Sequence, residues 1–157
     1  MITRIVMPQD ILDDDAQAVV IPVNCVGVME AGLAKQAKER YEHVFANVRL
    51  HCGIGMLSPG GVFGGQTKDL VTGKRRMVIC LATKNHLRDP SRIEWIVAGV
   101  NNLKKYLEKL KITSVAVPLL GAGLGHLDKK EVEEVICRKF SNSHIDVRIY
   151  CEAPKVK

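Results

Sequence analysis

Lys84 stands at the carboxyl end of a short apolar run, residues 75–83 (RRMVICLAT), that fits a buried strand. A lysine on a loop is ordinarily a solvated surface residue. Partly desolvated at the end of such a strand, it can act instead as a nucleophile or general base. As an ammonium it can stabilise an anionic leaving group. The segment that carries it, residues 83–90 (TKNHLRDP), continues with His86 and Arg88, whose side chains can hold the phosphates of a polymeric substrate. Taken singly, each is better read as a solvent-exposed side chain.

Two glycine-bearing segments occupy the same position after an apolar run. Residues 24–32 (NCVGVMEAG) place Gly27 and Gly32 where a helix begins. Glycines let backbone N–H groups approach a ligand, and the positive end of a helix suits phosphate. Glu30 works against this, because its carboxylate can fill the same field. Residues 121–126 (GAGLGH) alternate three glycines, a sequence that can curl into a nest of N–H donors. An ordinary tight turn explains either segment alone. Neither is a Walker loop, since no Gly-Lys-Ser/Thr follows, and residues 121–125 are not a GxGxxG fingerprint, so P-loop nucleotide hydrolysis is disfavoured.

The elements that must position these residues can be read from hydrophobic periodicity. Strands are expected at 2–7, 17–23, 75–83, 113–119 and 145–151, with a short one near Val62 and Phe63. Thr72-Gly73 marks a hairpin turn. Apolar positions at helical spacing predict one helix over 31–48 and another starting at Ser91, where Glu94 completes a capping box. A third should follow Asp128, with Glu131 repeating the capping logic. The order is strand, strand, helix, strand, strand, helix, strand, helix, strand. It implies an α/β sandwich, a mixed sheet with helices on both faces. Open α/β sheets bind ligands at the carboxyl ends of their strands, so three parallel neighbours would bring the three loops to one cleft.

Composition narrows the classes further. The 157 residues predict one domain, 1–157, large enough to fold without a staple. Apolar residues make up 46% and charged residues 25%, which excludes disordered, collagenous and coiled-coil chains. The net charge of +6 allows an anionic partner, though a mildly basic surface explains it equally well. No apolar stretch reaches the roughly 20 residues of a membrane span, and MITRIVMPQD has no secretory h-region, so a cytoplasmic protein without membrane contact is expected. Five widely spaced cysteines and no CxxC pair argue against disulfides and zinc; no metal and no cofactor is expected.

Four segments, in order and spacing, resemble the macro domain family over nearly the whole chain. They are Asp10-Ile11, NCVGVMEAGLA at 24–34, ATKNHLRDPS at 82–91, and VPLLGAGLGHLD at 117–128 followed by Glu131-Val132. Within the family the chain most resembles the DarG-type antitoxin macro domains and the terminal ADP-ribose protein glycohydrolases. The resemblance implies a three-layer α/β/α sandwich with a mixed central sheet of about six strands and a cleft for ADP-ribose. It implies that Asp10 accepts a hydrogen bond from the adenine amino group, beside Ile11. Gly27, Val28, Met29, Gly32, Leu33, Gly121, Ala122, Gly123, Leu124 and Gly125 would wrap the diphosphate and distal ribose, with Thr83 and Leu119 in the same cleft. Asn24 would contact the distal ribose and share the catalytic role with Lys84.

The departures from the family pattern are specific. Ile21 stands where a first asparagine is usual, and Ala122 where a cysteine is usual. Leu87 and Lys129 lie at or beside positions where DarG-type members have tryptophans. Gly125 replaces the catalytic aspartate of the protein glycohydrolases, which favours the DNA-type reading. His126 and Asp128 are nearby acid–base candidates, Asp128 being explained as well by helix capping. The leading expectation is a hydrolase that removes ADP-ribose from thymidine in single-stranded DNA, with His86 and Arg88 on the nucleic acid. A non-catalytic ADP-ribose reader is the alternative, as is a hydrolase of protein-linked or small-molecule ADP-ribose. A monomer is expected, and the antitoxin resemblance adds a toxin partner.

Overall fold

The run from Ala18 to Val23 is apolar on consecutive residues because both faces of this strand are covered. In the computed structural model, which describes residues 1–6, 9–53, 55, 57–86, 88–123 and 125–151, it lies inside a six-stranded sheet. The strands are β1 (Ile2–Ile5), β2 (Ala18–Asn24), β3 (Val62–Lys68), β4 (Arg75–Lys84), β5 (Ser114–Pro118) and β6 (Asp146–Tyr150). Their order across the sheet is β1-β6-β5-β2-β4-β3. The pairs β1–β6, β6–β5, β5–β2 and β2–β4 are parallel; β3 is antiparallel to β4 at the edge.

Strand alternation sorts the core into two layers. Ala18 and Val20, with Ile79 and Leu81, pack against α3 (Ile93–Lys109) and α4 (Lys129–Phe140). Val19, Ile21 and Val23, with Val78, Cys80 and Ala82, pack under α1 (Gly32–Arg40) and α2 (Val44–Gly53). Ile96, Val100, Leu103 and Leu107 form the seam of α3, and all four are fully buried. The result is the three-layer α/β/α sandwich with a mixed sheet.

Two local expectations fail, for identifiable reasons. The single helix over 31–48 is two helices. Glu42 N–H donates to Lys68 O and Leu70 N–H to Arg40 O, so the edge hairpin takes the backbone at residues 40–42 away from helical bonding. Tyr41 forms a bridge with Asp69, and His43 turns through φ +68°. The apolar spacing runs through this break, which is why periodicity missed it. The Ser91–Glu94 capping box does not form either: the N-cap of α3 is Arg92, with no side-chain cap. Ser91 is drawn instead toward residues 121–125, where its N–H donates to Gly125 O. Asp128 does cap α4, accepting from Lys130 N–H at 2.8 Å. The Thr72-Gly73 turn closes the β3–β4 hairpin with Gly73 at φ +76°.

Asp69 ties this hairpin to the rest of the sandwich. Arg40 Nε donates to both its oxygens at 3.1 Å, while Arg40 Nη1 reaches Asp13 at 2.7 Å. The Asp69 and Arg40 side chains are 4% and 10% exposed. Burial raises the Asp69 carboxyl, but Arg40 and the Val71 and Thr72 N–H groups outweigh it and hold the group below its ordinary range. Replacing Asp69 with alanine leaves the buried Arg40 guanidinium with only the exposed Asp13 and should cost about 3 kcal/mol in urea denaturation. Because the folded carboxyl is the stronger acid, its contribution is complete above about pH 4. The difference between wild type and Asp69→Ala should shrink as pH falls below that value.

Candidate functional site

The parallel neighbours β5, β2 and β4 end at one edge of the sheet, and the three loops leave from there. Asn24 pairs with Lys84 across β2 and β4, just after a register shift between Val23 and Asn24. Cys25 N–H donates to Lys84 O at 3.1 Å. The first loop is thereby stitched to the backbone of the lysine. A cleft of about 490 Å³ opens over this edge. Lys84, half-buried, is in its wall, together with Ile11, Asn24, Val28, Gly32, Leu33, Thr83, Leu119, Gly121, Ala122, Gly123 and Gly125.

The Asn24 side chain is spent on its own loop. Its Oδ1 accepts from the N–H groups of Val26, Gly27 and Val28 at 3.0–3.2 Å, and Nδ2 donates to Val28 O at 2.9 Å. The Gly27 and Val28 N–H groups therefore face Asn24 and not the cleft, although Val28 itself lines the wall. The donors of this segment lie further on, at the start of α1. Its N-cap, Ala31, offers no side chain, and its first turn has no acid. Those orphan N–H groups suit an anion. Glu30, the expected competitor, lines the cleft but gives its carboxylate to Lys38 Nζ at 2.9 Å, which holds the acid below its ordinary range.

Other expected residues fall outside the cleft wall. Gly27, at φ +83°, packs against Arg49, where a Cβ would meet side-chain Cγ at 3.4 Å. Met29 turns its side chain into the core at 1% exposure. Asp10 stands beside the lining residues Gln9 and Ile11, half-buried, and caps a single 3₁₀ turn, Ile11–Asp13, by accepting from Leu12 N–H at 3.0 Å. His86 and Arg88 are exposed on the Lys84 loop. His126 is exposed too, and Asp128 is accounted for by its cap. Leu124 and Leu87 lie outside the described residues.

The glycine loop is tightly wound. Gly121 takes φ +75°, Ala122 N–H donates to Leu119 O, and Leu127 N–H returns to Gly121 O. A Cβ at Gly125 would overlap Gly121 O and Ser91 Oγ, so this position admits no side chain, an aspartate included. At Gly123 there is open space. Burial pushes the Cys25 thiol up to about 11, so it stays protonated at neutral pH and offers no thiolate beside the lysine. Among the described residues, no three His, Cys, Asp or Glu side chains come together to hold a metal ion.

Sequence reasoning missed the far end of the cleft, where Tyr150 and Cys151 line the wall with Gln9, and it missed Gln36 on α1. Tyr150 closes β6, which is parallel to β5 and ends at the same edge. The rule that singled out three strand ends applied to this one as well. Lys129, the first residue of α4, adds a cation to the rim.

This sheet order, with a ligand-sized cleft over the ends of β5, β2 and β4, defines an α/β/α binding domain. The chain belongs to the macro domain family, whose model matches residues 20–136. It is 39% identical, over 142 residues, to a DNA ADP-ribosyl glycohydrolase of Mycobacterium tuberculosis; the match covers 90% of this chain and 40% of that one. The chain thus spans less than half the length of that curated relative. Among solved structures it is similar to the macrodomain of Mycobacterium tuberculosis DarG, at 38% identity, TM-score 0.88 and 99% coverage of both chains. It is also similar to Thermosipho africanus DarTG in complex with ADP-ribose, at 28% identity and TM-score 0.85, covering 94% of this chain and 41% of that one.

The two loop glycines make opposite predictions. Gly125→Ala should destabilise the fold by about 1–3 kcal/mol, the usual range for overpacking. Gly123→Ala, with open space at its Cβ, should stay within about 0.5 kcal/mol. Denaturant midpoints of the two variants and wild type check the pair.

Proposed function

We propose that this chain is an ADP-ribosyl glycohydrolase that binds ADP-ribose in the cleft and releases it from thymidine in single-stranded DNA. The observation that carries this reading is the placement of Lys84. It is half-buried in the cleft wall at the end of β4, beside the end of β2 from which the loop to α1 leaves. From β4 to β6 the cleft crosses three strand spacings, about 14 Å.

The base would lie toward Asp10, Ile11 and Tyr150. The diphosphate would meet the α1 N-terminus on one side and residues 121–123 on the other. The distal ribose would then sit against Asn24 and Lys84. Hydrolysis breaks the bond between ribose C1″ and the base nitrogen; water supplies the hydroxyl at C1″, and a proton goes to the departing base. Lys84 acts at this bond, by attack on C1″ or by stabilising the base as it leaves. Asn24 acts through its loop, which it holds in place with four hydrogen bonds.

Two features support DNA over protein as the carrier. The relative that matches over 90% of this chain is named for DNA, and position 125 has no room for a carboxylate. Arg88 on the exposed Lys84 loop and Lys129 in the cleft lining would supply cations for the strand's phosphates, with His86 a hydrogen-bonding neighbour. The modification must be installed by an ADP-ribosyl transferase, so a toxin of that class is the partner this reading calls for. Its place of action would be the cytoplasm; among the described residues no helix is long and apolar enough to cross a membrane.

Wild type and Lys84→Ala should be incubated with thymidine-ADP-ribosylated single-stranded DNA and with Glu-ADP-ribosylated protein. Release is expected from DNA only. Lys84→Ala should lose turnover and keep ADP-ribose affinity within about tenfold, or roughly 1.4 kcal/mol. Unchanged turnover in the variant would remove Lys84 from the mechanism. Binding without release from either carrier would make the domain a reader. His86→Ala and Arg88→Ala should each weaken DNA binding, and Arg88→Ala should also lower the salt slope by about 1.

A further inference from the structure

We infer that Asp14 is a positioning residue for the base end of the cleft, fixing the Tyr150 ring and the turn that carries Gln9, Asp10 and Ile11 into one recognition wall. The inference rests on the ADP-ribose reading above and concerns the end of the cleft farthest from Lys84.

Every polar group of Asp14 is engaged. Its Oδ2 accepts from the Tyr150 hydroxyl at 2.6 Å. Its Oδ1 accepts from Ala16 N–H at 2.7 Å and from Arg148 Nη1 at 2.8 Å. Its backbone carbonyl accepts from Arg76 Nη1 at 2.6 Å, and its N–H donates to Ile11 O at 3.1 Å. Tyr150 ends β6 and Ile11 opens the 3₁₀ turn, so one residue joins two parts of the wall that are far apart in sequence.

The side chain is 7% exposed. A buried carboxylate is a costly way to stabilise a fold, because apolar packing of the same volume serves as well or better. What it supplies is directional. A short charge-assisted bond holds the phenol of Tyr150, itself 6% exposed and packed in the core layer that holds Ile11 and Leu12, in a single orientation at the cleft wall. So held, the residue is a fixed support for the base end of the cleft. The surrounding charges keep the link intact. Arg148 spans Asp14, Asp15 and Asp146, and Arg76 approaches from β4. Burial raises the Asp14 carboxyl, but Tyr150, Ala16 and Arg148 together hold it below its ordinary range. Burial and Asp14 both push the Tyr150 phenol up, so it remains a donor at physiological pH.

Tyr150→Phe deletes one hydroxyl and keeps the ring; Asp14→Asn keeps the shape and removes the charge. Titration calorimetry with ADP-ribose should show Kd raised about tenfold in each variant. The double variant should be no worse than the weaker-binding single, because Asp14 acts through Tyr150. In turnover of ADP-ribosylated DNA the loss should appear in KM and not in kcat, since the base end lies away from the scissile bond. If Asp14→Asn does not fold, Tyr150→Phe alone decides. Unchanged affinity in Tyr150→Phe overturns the inference, as does a double variant whose losses add. A wild-type protein that binds no ADP-ribose would instead overturn the ligand reading itself, a result separable from both.

Discussion

The parallel pairing of β2 with both β5 and β4 is the constraint on which the rest depends. Parallel strands end at the same edge, and a central parallel strand must be apolar on both faces. The sequence of β2 meets that demand until Asn24. There the register slips, and the asparagine amide takes over the hydrogen bonding that the ladder gives up. This single transition fixes where the first loop starts, how it turns and which lysine backbone it is tied to. A slip of β2 by one residue would invert which side chains face each helical layer and would change which backbone the first loop is tied to.

Much of this was legible because it follows from local chemistry. The buried strands announced themselves as apolar runs, α3 as a seam at helical spacing, and Asp128 as a cap. The two failures have one cause: distant backbone competed with a local preference. At residues 40–42 the edge hairpin captured N–H and C=O groups that a helix would have used. At Ser91 the glycine loop captured the N–H that a capping box would have satisfied. Neither competitor can be seen within a window of ten residues.

The cleft was legible to a similar degree and for similar reasons. Three strand ends marked by Asn24, Lys84 and Gly121 do converge. What the spacing of glycines could not show is which N–H groups remain open once the loop has folded. Gly27 lies in an apparent phosphate-binding pattern, yet its N–H is bound by Asn24, and the glycine serves a left-handed turn packed on Arg49. Gly125 serves close approach of backbone to backbone. Of the three positions, only Gly123 combines small size with open space. The same residue type thus answers three different demands, and sequence spacing alone does not separate them.

The charges divide along the same line. Where the cleft would hold phosphate, the protein withholds acids: α1 has none in its first turn, and Glu30 is neutralised by Lys38. At the opposite end acids gather. Asp13, Asp14 and Asp15 follow one another, and each carboxylate is met by Arg40 or Arg148. None of these three acids lines the cleft, and each is paired as Glu30 is, so they add little field of their own. On the proposed reading it is therefore the uncapped start of α1 that would draw the diphosphate, and the sugar beyond it would lie against Lys84.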